Sequence, residues 1–189
     1  ELEDNTFKKV LYTGSLRAAN KPENFIDLAE CLTKIAYNIK IIVYGGGDQL
    51  ELLRNKVADK GLKNIVFKGR VDKEYIPFIL SKSDLNLMDG DIGGLSKYGI
   101  SGNKLFDYIA SGRPIIMDCE ENEFGIINKN QIGIAKPFGS SREMAETIAD
   151  MLNGDEKRYE LWCNNARALA MEFDFKRLTD KLIEIIENK

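Results

Sequence analysis

The sequence predicts a doubly wound α/β fold, in which a mainly parallel, Rossmann-like sheet lies between flanking helices. Short apolar segments alternate with helix-length amphipathic segments along all 189 residues. Residues 39–44 are nearly all apolar and β-branched, which is typical of a strand buried on both faces of a parallel sheet. No repeat, low-complexity tract or flexible linker divides the chain, so we expect one domain.

In the first half of the chain, glycine or proline marks most element boundaries. Pro22 lies in the first turn of a predicted helix, where its missing N–H costs nothing. Gly61 follows the next helix at the position that ends many helices, and Pro77 interrupts a third helix early. The predicted strands are residues 9–14, 39–44, 64–68 and 84–88, and the predicted helices are residues 22–37, 49–60 and 73–82.

The second half begins with a loop rich in glycine and aspartate, residues 89–102. Strands and helices of ordinary length follow it, which is typical of right-handed βαβ units. The predicted strands are residues 114–117 and 132–135, and the predicted helices are residues 103–111, 141–152, 156–170 and 175–186. The pattern does not predict that the final helix, after Phe173-Asp174-Phe175, packs on this domain.

The composition argues against several classes of protein. A net charge of −3, from 27 basic and 30 acidic residues, does not favour nucleic acid as a partner. No apolar run reaches the roughly 18 residues of a membrane-spanning helix. The chain has no histidine, which excludes Ser-His-Asp and Cys-His catalysis within it. Its three cysteines form no CxxC pair, which disfavours a zinc site and fits a reducing, cytoplasmic compartment.

Glycines and cations follow the predicted strands at the edge where a doubly wound sheet binds ligands, beyond the strands' carboxyl ends. The segments after the first four strands all contain glycine, and three of them contain a cation. Backbone N–H groups together with positive charge suit an oligophosphate. These segments are residues 14–21, 45–48, 69–71 and 99–104.

The helix that begins near Asn103 offers one phosphate site. Ser101 is its predicted N-cap. Gly102, Asn103 and Lys104 then lie in the first turn, where free N–H groups and the positive end of the dipole favour an anion. Asp107 lies one turn further on the same face, where its carboxylate matches the two hydroxyls of a ribose. Alternatively, Lys104 and Asp107 form a surface ion pair worth about 0.3 kcal/mol.

The run Gly45-Gly46-Gly47 has two interpretations. It is either a tight turn that needs positive φ or a place where the backbone closely approaches a ligand. Its spacing does not match the dinucleotide-binding fingerprint, and residues 99–104 do not match a P-loop.

The charged candidates likewise have two interpretations each. Arg17, Lys21 and Arg70 either bind the ligand or are solvated surface charges. Asp89 and Asp91 lie beside glycines, but two carboxylates in a loop do not make a Mg²⁺ or Ca²⁺ cage, so we expect no metal site.

Four segments carry a resemblance to a known family. They are residues 44–48 (YGGGD), 64–71 (NIVFKGRV), 83–87 (SDLNL) and 101–116 (SGNKLFDYIASGRPII). In this order they resemble the C-terminal domain of retaining glycosyltransferases of the GT-B fold, the large family 4 group. The closest resemblance is to the branch that builds capsule, O-antigen and exopolysaccharide units. It runs from about Val10 to the end and is most specific over residues 103–116.

The resemblance implies that these loops bind a nucleotide-sugar donor as substrate. Arg17 and Lys21 would be the catalytic cations beside the donor diphosphate, although Ser15 and Asn20 disturb the family's usual GR…K spacing. Eight further positions would bind the base, ribose, diphosphate and sugar. They are Gly46, Gly47, Arg70, Val71, Gly102, Asn103, Lys104 and Asp107.

The implied reaction is displacement at the anomeric carbon with net retention, with a nucleoside diphosphate as leaving group. Asp107 stands where the second Glu of the family's E-x7-E motif binds the ribose, one methylene shorter. The first Glu of that motif falls at Gly99, which leaves the sugar contacts unassigned. By family habit UDP is the expected carrier, with GDP second, and neither a cofactor nor a metal is expected.

The resemblance also implies how the chain relates to a complete enzyme. Residues 1–189 would be the C-terminal nucleotide-sugar-binding domain without its N-terminal acceptor domain, to which the final helix crosses back. The enzyme would be cytoplasmic, with peripheral contact at the inner face of the membrane, and would act on a glycan or lipid-linked acceptor. This domain by itself would bind donor weakly and transfer nothing. Two alternatives stay open: a sugar-nucleotide 2-epimerase on the same scaffold, and a non-catalytic nucleotide-binding module.

Overall fold

The structure, a computed structural model, describes residues 1–88 and 103–187, in which six strands form one parallel sheet. The strands are β1 (Lys8–Thr13), β2 (Ile39–Tyr44), β3 (Ile65–Gly69), β4 (Leu85–Met88), β5 (Ile115–Asp118) and β6 (Gly133–Lys136). Their order across the sheet is β3-β2-β1-β4-β5-β6, and every neighbouring pair is parallel. The predicted doubly wound fold is confirmed.

Helices flank the sheet at nearly the positions that the sequence predicts. They are α1 (Asn24–Ile35), α2 (Leu50–Asp59), α3 (Ile76–Ser81), α4 (Asn103–Ala110), α5 (Ser141–Asn153), α6 (Glu156–Ala170) and α7 (Phe175–Glu187). Short 3₁₀ turns cover Ala18–Asn20, Lys73–Tyr75 and Met171–Phe173.

Two apolar layers bury the two faces of the sheet. Side chains of α1, α2 and α5 pack on one face against alternate residues of the central strands, such as Val10 and Ile41. On the other face, α4 and α6 pack against residues that include Ile115 and Met117. Burial on both faces explains why the strands are continuous apolar runs rather than alternating ones.

The element ends show one difference from the sequence prediction. Gly61 ends α2 with φ +62°, the left-handed conformation expected there. Pro77 does not interrupt a helix, because it lies in the first turn of α3, where no N–H is needed. The 3₁₀ turn Lys73–Tyr75 precedes it.

The last helix stands apart from the core. None of the described residues of α7 is buried. Its exposed apolar residues are Phe175, Leu178, Leu182, Ile183, Ile185 and Ile186. Within residues 1–88 and 103–187, no helix is both long enough and apolar enough to cross a membrane.

Candidate functional site

An open cleft of about 700 Å³ lies along the carboxyl ends of β1, β2 and β3. Its lining residues are Thr13, Gly14, Ser15, Arg17, Asn20, Tyr44, Gly45, Gly46, Gly47, Arg70, Val71 and Ile76. The cleft adjoins the point between β1 and β4 where the strand order reverses, which is where doubly wound sheets bind ligands. Three of the loops that the sequence singled out therefore meet here.

A second depression of about 490 Å³ shares Arg70 and Val71 with the cleft and extends to Asp72, Lys73 and Tyr75. Val71 and Tyr75 are 37% and 54% exposed, so apolar surface faces solvent at this end. The two depressions together are large enough for a ligand the size of a nucleotide.

The glycine run is shaped by contact between loops. Among the described glycines, positive φ occurs at positions 61, 69, 112 and 133, so the interpretation of Gly45-Gly46-Gly47 as a positive-φ turn is wrong. A Cβ on Gly45 would lie 1.8 Å from the carbonyl oxygen of Gly14, and one on Gly47 would lie 2.3 Å from that of Leu16. Both glycines therefore let the loop after β2 touch the loop after β1, a role that the sequence analysis did not consider.

Gly46 differs from its two neighbours. A Cβ there would meet the side chain of Arg70, 2.9 Å from Cγ, rather than backbone. The amide of Leu16 donates to the carbonyl of Gly46 at 3.0 Å, which holds the loops after β1 and β2 together. Gly46 thus leaves room for the Arg70 side chain beside it in the cleft.

Side chains also hold the loop that follows β1. The carbonyl of Ser15 accepts hydrogen bonds from Asn20 Nδ2 at 2.9 Å and from Tyr12 Oη at 3.2 Å. Asn20, which departs from the expected spacing, therefore supports the loop that carries Arg17 to the cleft. Lys21 is exposed, has left-handed backbone angles, and is not among the residues that line the cleft.

The start of α4 approaches the cleft from the β4 side. Lys104 Nζ donates to Tyr12 Oη at 3.2 Å and lies 4.5 Å from the centroid of its ring. It also lies 2.7 Å from where a Cβ on Gly14 would be, so the ammonium group is next to a residue that lines the cleft. Asn103 is exposed at the first position of the helix.

Several predicted positions lie outside the described residues. They are Asp89, Asp91, Gly99, Ser101 and Gly102. The predicted N-cap and its neighbouring glycine therefore stay predictions.

Among the ion pairs of the described residues there is none between Asp107 and Lys104, whose ammonium contacts Tyr12, so the alternative of a surface ion pair between them is wrong for the described structure. Partial burial raises the pKa of Asp107 above its ordinary value, while the charge of Lys73 acts in the opposite direction. Asp107 itself is not among the residues that line either depression.

Two functional positions were missed by the sequence analysis. Tyr12 and Tyr108 are fully buried, and the hydroxyl of each makes a hydrogen bond at the carboxyl end of β1. Tyr108 Oη accepts a hydrogen bond from the backbone amide of Thr13 at 2.9 Å, and this bond joins α4 to β1. A tyrosine within a buried apolar pattern is itself a signal, since its hydroxyl needs a partner.

The described residues also bear on metal binding. Within residues 1–88 and 103–187, no three Cys, Asp or Glu side chains are grouped so that they could hold a metal ion. The expectation that the reaction needs no metal stays a prediction.

The sequence comparison identifies relatives. The sequence model described as "Glycosyl transferases group 1" matches residues 1–169. The chain is 24% identical over 177 residues to Alpha-D-kanosaminyltransferase of Streptomyces kanamyceticus, a match that covers 93% of this chain and 44% of that protein. The chain spans less than half the length of the curated relatives it matches.

Solved structures share the fold. Anabaena Alr3699/HepE, solved in complex with UDP-glucose, superposes with a TM-score of 0.75 at 19% identity, covering 98% of this chain and 50% of that one. The C-terminal domain of a glycosyl transferase group 1 family protein (LpcC) from Francisella tularensis superposes with a TM-score of 0.68 at 21% identity. That match covers 88% of this chain and 85% of that one.

Proposed function

The chain belongs to the glycosyl transferases group 1 family, and from this premise we propose that it is the donor-binding half of a retaining glycosyltransferase. In this proposal the donor is a nucleotide sugar, with UDP as the expected nucleotide. The observation that carries the proposal is the cleft at the carboxyl ends of β1, β2 and β3, where glycine loops and cations meet beside the strand-order reversal.

The diphosphate is proposed to lie over Gly14, between two cations. Arg17 lines the cleft on one side, and Lys104 stands behind Gly14 on the other. The first turn of α4 adds N–H groups and the positive end of its dipole. Lys21 stays a predicted catalytic cation, although it does not line the cleft.

The nucleoside is proposed to extend from the cleft into the second depression. Arg70 and Val71 line both and would frame the base. Asp107 would accept hydrogen bonds from the ribose hydroxyls, which requires its ionised form.

The proposed reaction replaces one bond at the anomeric carbon of the donor sugar with another. The bond to the diphosphate oxygen breaks and its electron pair stays on the diphosphate, while a hydroxyl oxygen of the acceptor forms the new bond and loses its proton. Retention means that the new bond has the same anomeric configuration as the old one. Preorganised cations and N–H groups stabilise the charge that develops on the leaving diphosphate, and one such contact is worth roughly 3 kcal/mol.

The acceptor site is proposed to belong to an N-terminal domain outside this chain. The chain spans less than half the length of its relatives, and α7 exposes an apolar face without a partner among the described residues. We propose that α7 packs on that domain. The complete enzyme would act on a glycan or lipid-linked acceptor in the cytoplasm, with peripheral contact at the inner face of the membrane.

The test is a calorimetric or NMR titration of the chain with UDP, GDP, ADP and NAD, repeated with Asp107→Ala. We expect one nucleoside diphosphate to bind selectively and Asp107→Ala to weaken it. The matched control is Asp59→Ala, which removes an exposed carboxylate at the far end of α2. The absence of binding by any nucleotide at millimolar concentration would contradict the proposal.

A second assay addresses the two alternatives. A nucleotide sugar is incubated with the chain without any acceptor. The proposal predicts that the sugar stays unchanged, whereas inversion at one sugar carbon would favour the epimerase. Absence of nucleotide binding even in a complete protein would favour an interaction module.

A further inference from the structure

Tyr12 lies at the centre of the contacts behind the cleft. It is the fifth residue of β1 and is fully buried. Its ring packs against Phe25 with centroids 4.7 Å apart, which fixes the ring on the α1 side. Its hydroxyl oxygen is at the carboxyl end of the strand, next to Gly14.

The hydroxyl of Tyr12 links two elements that are far apart in the chain. It accepts a hydrogen bond from Lys104 Nζ at 3.2 Å and donates one to the carbonyl of Ser15 at 3.2 Å. One hydroxyl can do both because it has one proton and two lone pairs. The ammonium of α4 and the loop after β1 are thereby joined through a single oxygen.

Gly14 leaves the space in which this contact forms. A Cβ at that position would lie 2.6 Å from Tyr12 Oη and 2.7 Å from Lys104 Nζ. Gly14 itself lines the cleft, so the ammonium lies next to a residue that a bound ligand would contact. Any larger residue would crowd both atoms, so their contact would have to change.

A lysine side chain has four rotatable bonds, and holding its ammonium in one place costs conformational entropy. The ring face and the hydroxyl of Tyr12 limit the positions of Lys104 before any ligand arrives. A cation that is already in place binds an anion more tightly than a mobile one.

We propose that Tyr12 is a positioning residue that holds the Lys104 ammonium behind Gly14 for the diphosphate of the donor. The inference rests on the proposed donor-binding function and adds to it a residue that does not line the cleft. Tyr12 therefore determines affinity for the diphosphate and leaves affinity for the nucleoside unchanged.

The experiment measures binding of UDP and of uridine to the 189-residue chain by NMR titration, which reaches millimolar dissociation constants. Tyr12→Phe keeps the ring and removes the hydroxyl. We expect its dissociation constant for UDP to rise about tenfold and that for uridine to stay unchanged, as for a lost hydrogen bond to a charged group. Gly14→Ala should produce the same selective loss, because its methyl group would lie too close to both Tyr12 Oη and Lys104 Nζ for their contact to stay in place.

The matched control is Tyr159→Phe, which removes a hydroxyl that donates to the carbonyl of Asp84 at 2.8 Å, at the opposite end of β4. We expect it to leave both dissociation constants unchanged. Equal weakening of UDP and uridine by Tyr12→Phe would show a merely structural role and overturn the inference. Unchanged UDP binding by Tyr12→Phe would overturn the inference about Tyr12 and leave the proposed donor-binding function in place. Absence of UDP binding by the unmutated chain would overturn the proposed function together with it.

Discussion

Replacing Gly47 with alanine tests whether the glycine run is built for loop packing. The new Cβ would lie 2.3 Å from the oxygen and 2.5 Å from the carbon of the Leu16 carbonyl, both backbone atoms that cannot rotate away. The loops must therefore separate, which weakens two hydrogen bonds that join them. These run from Leu16 N to Gly46 O at 3.0 Å and from Gln49 N to Leu16 O at 3.2 Å.

The expected loss of stability follows from these contacts. Overpacking costs typically 1–3 kcal/mol, and we take the lower end because Gly47 is exposed. The two weakened hydrogen bonds add about 1 kcal/mol each, which brings the expected loss to roughly 3 kcal/mol. In a domain of this size, 1 kcal/mol shifts Tm by about 2–4 °C. Gly47→Ala should therefore lower Tm by roughly 6–12 °C, measured by calorimetry or circular dichroism.

Gly46→Ala is the matched control, since it adds the same methyl group one residue earlier. Its Cβ would meet the flexible side chain of Arg70, 2.9 Å from Cγ, which can move. We expect a Tm change below about 3 °C and a clear loss of nucleotide affinity, because Arg70 lines the cleft. An unchanged Tm in Gly47→Ala, or a larger fall in Gly46→Ala than in Gly47→Ala, would refute the reasoning.

Three further predictions concern a carboxylate, a helix cap and the last helix. Partial burial raises the pKa of the Asp107 carboxyl in the folded chain. The stability that this shift contributes to folding is therefore full below the ordinary pKa of 3.8 and is lost as pH rises through the raised pKa. Asp107→Asn should therefore raise stability at pH 7, by less than about 0.5 kcal/mol after solvent screening, and not at pH 3, as pH-dependent melting would show. Ser140 caps α5 by accepting from the amide of Glu143 at 3.2 Å, so Ser140→Ala should cost about 1 kcal/mol in denaturant unfolding, whereas Ser141→Ala should cost little. Deleting the chain after Asp174 should change Tm by less than about 3 °C, since none of the described residues of α7 is buried. Because the deletion also removes the exposed apolar residues of α7, we expect any concentration-dependent association in sedimentation velocity to decrease. A large fall in Tm on that deletion would contradict the view that α7 lies outside the core.

The kind and order of the elements follow from local patterns in the amino-acid sequence. The β-branched run of residues 39–44 coincides with β2, and Gly61 ends α2 in the conformation expected of it. Strands and helices are predictable in this way because their side-chain periods and their end residues act within a few positions of the chain. The topology rule for doubly wound sheets then predicts that the loops after the strands share one edge.

The contacts that build the cleft depend instead on long-range packing. Lys104 meets Tyr12 across 92 positions, and Tyr108 meets Thr13 across 95, because β1 and β4 are neighbours in the sheet. No local pattern contains that adjacency. For the same reason Lys104 bonds to Tyr12 rather than to nearby Asp107.

The glycines also show the difference between what local patterns predict and what long-range packing determines. Glycines after the first four strands were visible in the sequence. The reason for them at positions 45 and 47 was not, because it lies in the carbonyl groups of the neighbouring loop. Arg17 reached the cleft and Lys21 did not, although both follow the same strand, since the turn Ala18–Asn20 lies between them. A sequence specifies which residue types are available at an edge of the sheet, and the packing of loops on one another determines which of them face the ligand.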